Sequence, residues 1–154
     1  MSTPTSPDAP RFGTLTQHEC TRLLAAGHIG RLAFSFHDRV DIQPIHYVFD
    51  AGWIYGRTTV GSKIETLAHN RWVAFETDVA RGVFDWESVV VRGSFHQLDP
   101  AASPVDAAAY AHAVALVRAI VPDALERDDP APHRTVLFRI AVGEMTGRYA
   151  RPAC

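Results

Sequence analysis

The chain has 154 residues, 47 % of them hydrophobic and 21 % charged, and its 15 Lys and Arg against 17 Asp and Glu leave a net charge of −2. This is one globular domain with a real core; it carries no basic excess for a nucleic-acid partner, and its longest apolar runs, such as Val89-Val90-Val91, are far too short to span a bilayer. With only Cys20 and Cys154 present, neither a disulfide framework nor a cysteine metal site is expected.

Residues 1–13, MSTPTSPDAPRFG, are rich in Pro, Ser and Thr and read as a flexible arm ahead of a single domain over 14–150. The arm has neither a basic start nor an apolar signal core, so a cytoplasmic location is expected. Thr16-Gln17-His18-Glu19 has capping-box spacing and predicts a helix over 16–26, with Cys20, Leu23 and Leu24 on one side and Gly27 ending it. From Ile29 the period changes to two. Gly30, Leu32, Phe34 and Phe36 alternate with Arg31, Ala33 and Ser35, which predicts a half-buried strand. His37-Asp38-Arg39 is the turn into a returning strand over 40–49, apolar on both faces and therefore expected to be covered on both. Asp50-Ala51-Gly52 then makes a short hairpin into a third strand over 53–58.

A short helix opens at Ser62-Lys63. Beyond it a strand is predicted over 72–79, with Val73, Phe75, Thr77 and Val79 on one face, and a loop leads to a long strand over 86–97. There Val89, Val91, Gly93 and Phe95 take the core side, which turns Trp86, Ser88, Val90 and Arg92 the other way. Ser103-Pro104-Val105-Asp106 opens a helix with proline at its first position, and Pro122 breaks it. An acidic, proline-rich loop to His133 precedes a final strand over 135–142. The hairpin-length links force antiparallel neighbours, so the expected architecture is mainly β with flanking helices, a closed or nearly closed antiparallel barrel of six strands.

The stretch WIYGRTTVGSKIETLAHN, 53–70, can hold an anion. A helix start leaves backbone N–H groups without partners and carries a partial positive charge, and Lys63 sits in that first turn, where a cation is disfavoured unless a negative ligand is present. The alternative is an ordinary capping box in which Ser62 caps the helix and Glu65 reaches back. Gly56 to Lys63 comes close to the triphosphate loop G-x-x-x-x-G-K-[ST], but the last two residues are in the reverse order and Gly56 lies inside the strand, so that reading is set aside.

Four stretches, HIGRLAF at 28–34, QPIHYVFD at 43–50, WIYGRTTVGSKIETLAHN and WESVVVRGSF at 86–95, together with TGR at 146–148, resemble in order and spacing the pyridoxamine 5′-phosphate oxidase-like flavoproteins. That family has a split β-barrel fold, and this chain looks most like its short, nitroimidazole-reductase-like branch. The resemblance implies FMN bound where two protomers of a homodimer meet. The phosphate would lie against Arg57, Thr58, Thr59, Ser62 and Lys63, and the ring along Ile45, His46 and Tyr47, with Trp86 and Ser88 as further contacts from the partner protomer. A dianionic phosphate suits a fork such as Arg57 plus a point charge such as Lys63; a flavin ring suits a strand with apolar surface on both sides. The chain ends in TGRYARPAC and lacks the arginine- and tryptophan-bearing C-terminal motif of true pyridoxamine phosphate oxidases, which argues against vitamin B6 oxidation.

The activity implied is that of an FMN-dependent oxidoreductase or flavin reductase passing electrons to a small-molecule acceptor, with NADH or NADPH as candidate donor; no general acid or base stands out. Binding of deazaflavin F420 or of haem, or a non-catalytic flavin-binding role, are the alternatives. His46 either touches the flavin or hydrogen-bonds within the sheet. The remaining histidines lack metal-ligand spacing, and Trp53 and Trp72 read as packing residues.

Overall fold

The computed structural model describes residues 8–153, except for the side chain of Ser62. Residues 1–7, the greater part of the expected arm, and Cys154 lie outside the described residues. In chain order the elements are β1 (Arg11–Leu15), α1 (Gln17–Ala26), β2 (Ile29–Phe36), β3 (Arg39–His46), β4 (Val48–Asp50), β5 (Trp53–Thr58), α2 (Ser62–His69), β6 (Trp72–Gly82), β7 (Asp85–Gln97), α3 (Pro104–Ile120) and β8 (Val136–Arg151). The strands form one antiparallel sheet in the order β3-β2-β6-β7-β8-β5-β4, with β1 paired to β8. The expectation of a mainly β fold with flanking helices holds, but the sheet has eight strands rather than six and does not close.

Both extra strands have a physical origin that local sequence does not announce. Only Leu15 of β1 is buried, so its extended form comes from pairing with Gly147–Arg151 rather than from an apolar alternation of its own. Arg11–Gly13 therefore belong to the sheet and not to an arm. The strand expected over 40–49 is two strands. It leaves β2 at the Ile29–His46 pair and joins β5 at the Val48–Tyr55 pair, turning the corner at Tyr47. Ile45 and Tyr47 are both buried, so the period of two runs through the corner and carries no mark of the change of partner.

The spine of the sheet is β8. Its Val136–Ala141 stretch pairs with β5, its last five residues pair with β1, and nearly its whole length pairs with β7. A bulge between Arg92 and Gly93 bends β7 along it, and Gly93 is required there because a Cβ would lie 1.9 Å from the Ala141 carbonyl oxygen. The two edges of the sheet, β3 and β4, are joined by Tyr47 alone, so the sheet curls until its edges meet at that corner. Gly56 permits the approach: a Cβ there would come within 3.1 Å of the His46 carbonyl oxygen. Away from the corner β3 and β5 do not pair, and this gap is the split of the barrel.

The hairpin turns carry paired positive φ values, 49° and 62° at His37 and Asp38 and 48° and 85° at Ala51 and Gly52, the handedness that matches strand twist. Thr16 and Glu19 form the expected capping box of α1, and Ser103 caps α3 with Pro104 in its first turn. One core fills the curl of the sheet, where Leu32, Phe75, Val91 and Phe138 meet Leu24 of α1. A second lies between the outer face and α3, where Tyr55 and Leu137 meet Ala113 and Val117.

Two expectations fail. The strand read as covered on both faces is an edge strand in β3, and its outer face is open, with Val40 79 % and Ile42 63 % exposed. Trp53 is half-buried, but Trp72, expected to pack, is 65 % exposed. Among the described residues no helix is long and apolar enough to cross a membrane.

Candidate functional site

Alternation along β5 sends Ile54, Gly56 and Thr58 into the curl and Trp53, Tyr55 and Arg57 toward α3. Arg57 consequently meets the loop that follows α3. Its guanidinium donates two parallel hydrogen bonds to the Asp129 carboxylate at 2.5 and 2.9 Å, with both side chains almost fully buried. Asp129 also accepts the backbone N–H groups of Leu125 and Ala131 at 2.7 and 2.9 Å. The Arg57 hydrogen bond, aided by these two amides, holds the Asp129 carboxyl well below the usual carboxylate range. This bidentate pair fastens the loop over 121–135 to the sheet.

Pinned in this way, the loop brings two residues to the split that the sequence reading did not select, His133 and Arg134. Together with Gln43, Thr58, Thr59 and Lys63 they line a small, strongly polar recess of about 150 Å³. Lys63 is half-buried, and burial followed by the charge of Arg134 pushes its ammonium pKa down, partly offset by Asp41. Among the described residues no carboxylate lies within 4 Å of Lys63 or Arg134. The start of α2 adds to the imbalance. Its N-cap is Gly61 with no side-chain cap, so the helix begins one residue earlier than a Ser62 capping box requires, and the partial positive end of α2 faces no anionic group of its own cap. Ser62 opens the helix, but its side chain lies outside the described residues.

Beside this recess, sharing Arg57, His133 and Arg134 with it, is a larger and mainly apolar chamber of about 370 Å³ between β5 and the end of α3. Val117, Ile120 and Val121 form one wall and His46, Tyr55 and Gly56 another. An ion-sized polar recess opening beside an apolar chamber is what a ligand with a charged end and a ring system needs.

The structure thus brings together Ile45, His46, Tyr47, Arg57, Thr58, Thr59 and Lys63 of the residues expected from sequence, but gives some of them other duties. The Arg57 fork is already occupied by Asp129. Tyr47 turns its ring into the core against Phe75 and donates its hydroxyl to the Leu24 carbonyl at 2.7 Å, so only its backbone borders the chamber. His46 is exposed at the chamber wall, 3.5 Å from Arg134. Trp86 and Ser88 are elsewhere. On β8, Arg57 is opposite Leu137 and Trp86 opposite Ala150, a separation on the order of 40 Å along the strand. They face outward as the alternation predicts, beside the ion pairs of Arg31 with Glu76 and Asp78.

Residues 16–149 match the family described as pyridoxamine 5′-phosphate oxidase. A curated protein of Rhizobium meliloti (strain 1021) is 31 % identical over 84 residues, which are 54 % of this chain and only 56 % of that protein's length. Among solved structures, an FAD-binding protein from Mesorhizobium loti is 27 % identical and superposes with a TM-score of 0.73 over 89 % of this chain and 96 % of its own. A structure from Bacteroides thetaiotaomicron named for 5-nitroimidazole antibiotic resistance, 16 % identical, shares the fold with a TM-score of 0.67 over 91 % of this chain and 88 % of its own. The match over nearly the whole chain, on an open split barrel with these neighbours, shows that the chain belongs to the pyridoxamine 5′-phosphate oxidase family.

Proposed function

We propose that the chain is a flavoprotein that binds FMN along the split between β3 and β5 as a homodimer, and that it acts as an oxidoreductase on a small-molecule acceptor. The observation that carries this reading is the recess at the start of α2, which Lys63 and Arg134 line with no carboxylate within 4 Å of either among the described residues. A phosphate group fits this donor set: two cations, the hydroxyls of Thr58 and Thr59, and the free N–H groups of the helix start. The neighbouring chamber offers the apolar lining that a ring system requires, with His46 at its edge. FMN supplies hydride and electron transfer when bound; the chain's own residues bind its phosphate, orient the ring and exclude water from the chamber.

The open outer face of β3 and the distance of Trp86 and Ser88 from the recess both support a second copy as the missing half of the site. The M. loti neighbour is named for FAD, so the flavin released from the purified protein is the first measurement. The expected result is a flavin absorption spectrum and FMN on chromatography; a Soret band would sink the flavin reading in favour of haem. Light scattering should give a dimer, and a monomer that holds FMN tightly contradicts the shared site. Reduction of the FMN-loaded protein by NADH against NADPH then identifies the donor.

A further inference from the structure

We propose that the outer face of the sheet beside α2 carries a second oxyanion site, built from Arg71, Ser94, His96 and Arg139, and that the group it takes is a phosphate. Register brings these residues together. Ser94 and His96 are two apart on β7 and share a face, with Ser94 Oγ and His96 Nε2 in hydrogen-bond contact at 2.8 Å. Arg139 is the direct cross-strand partner of His96. Arg71, in the link between α2 and β6, is tied to the same strand because its carbonyl accepts the Phe95 N–H at 2.8 Å. A recess of about 300 Å³ runs beside them, walled by Arg71, His96 and Gln97 on one side and by Ile64, Leu67 and Ala68 of α2 on the other.

The charges in this cluster are unbalanced. Among the described residues neither Arg71 nor Arg139 has a carboxylate within 4 Å. The Arg139 guanidinium lies 3.7 Å from the centre of the Trp53 ring, and its Nε is buried with no hydrogen-bond partner. A buried donor left unmade is costly, and such atoms in folded proteins call for an acceptor. Burial, then the charges of Arg71 and Arg139, push the His96 pKa down. Two planar forks, a hydroxyl and an imidazole match a tetrahedral oxyanion with several acceptor oxygens better than a single carboxylate. Trp72, directly across from Ser94 and 65 % exposed, stands at the rim where an aromatic base can stack.

This site is separate from the recess at Lys63. The two lie at opposite ends of α2, whose eight residues span about 12 Å, farther than one pyrophosphate group reaches. The inference therefore does not depend on the flavin reading.

The test is an NMR titration of the histidine ring signals of the full chain with sodium phosphate against sodium chloride at matched ionic strength, the His96 signal being assigned by its loss in His96→Gln. Phosphate should raise the His96 pKa by about one unit, because it offsets the two guanidinium charges. Arg71→Gln and Arg139→Gln should each weaken the response about ten-fold or more, while Lys63→Ala should leave it intact. Arg71 is exposed, so its variant decides the matter if Arg139→Gln fails to fold. Adenosine 5′-monophosphate binding more tightly than phosphate, with quenched tryptophan fluorescence, identifies a nucleotide as the source; equal affinity identifies free phosphate. A His96 signal that responds no more to phosphate than to chloride up to about 50 mM, or a response that survives both arginine variants, overturns the proposal.

Discussion

Arg57 and Arg134 line the same recess, yet only Arg57 is committed to a carboxylate. The Asp129 side of the split is a finished structure in which each carboxylate oxygen accepts two hydrogen bonds and each partner is neutralised. The Lys63 side is unfinished, with two cations, an uncapped helix start and, among the described residues, no carboxylate within 4 Å, Asp41 acting on Lys63 only from farther away. The arginine that looks best suited to phosphate by sequence is the one that holds the wall in place, and the proposed anion site falls to the residues that Asp129 does not reach. The patch beside Ser88 shows the opposite imbalance, where Glu76 and Asp78 share the single guanidinium of Arg31. Balance of charge, and not charge type, separates scaffold from site.

The contrast can be broken experimentally, and the largest effect should be on binding. Lys63→Ala and Arg134→Ala should each weaken FMN binding about ten-fold or more, the loss expected for a charge-assisted contact of ~1.5–3 kcal/mol. Fluorescence titration checks this, and unchanged affinity in Lys63→Ala removes that residue from the site. Asp129→Asn should lower the thermal unfolding midpoint by about 5–10 °C, because it leaves Arg57 buried beside a neutral group. The folded-state pKa of Asp129 is depressed below its ordinary 3.8, so its stabilisation is present above that pH and is lost as pH falls toward the folded value. The gap between parent and variant should therefore narrow in acid; a gap that widens would show that the ion pair is not the cause.

Ile42→Lys tests the open edge. On β3 it places a charge in an apolar face proposed to meet a second copy, and light scattering should show a shift from dimer toward monomer. The smallest effect is expected at Glu76, whose pKa is pushed up to about 7, first by burial and then by Asp78. The folded state then holds a proton that the unfolded state releases above about pH 4.5, so stability falls as pH rises between those values. Glu76→Gln lacks that slope and should unfold about 1–3 °C higher than the parent at pH 8, with no difference at pH 5. Equal midpoints at both pH values would place the proton elsewhere.

Much of the fold is legible in the residues. Capping signals at Thr16 and Ser103, the period of two along β2 and β7, and turn residues at His37 and Ala51 locate elements that the structure contains. These are local effects, decided within four to eight residues. What could not be read is decided by pairing across the chain. β1 is a strand because β8 is there to meet it, and the corner at Tyr47 exists because one strand changes partners without changing its alternation.

The candidate site divides in the same way. Lys63, Thr58 and Thr59, which line one recess, are named from sequence because a strand, a tight turn and a helix start are adjacent in the chain. Arg134 and His133 are invisible at that stage. They lie in an acidic, proline-rich loop, and only the tertiary contact of Asp129 with Arg57, 72 residues apart, turns them toward the split. Sequence by itself determined where the proposed anion site lies in the chain, since helix ends and alternation are short-range physics. Tertiary structure decided which cations are free to bind it, because neutralisation depends on which carboxylate the fold delivers to each one.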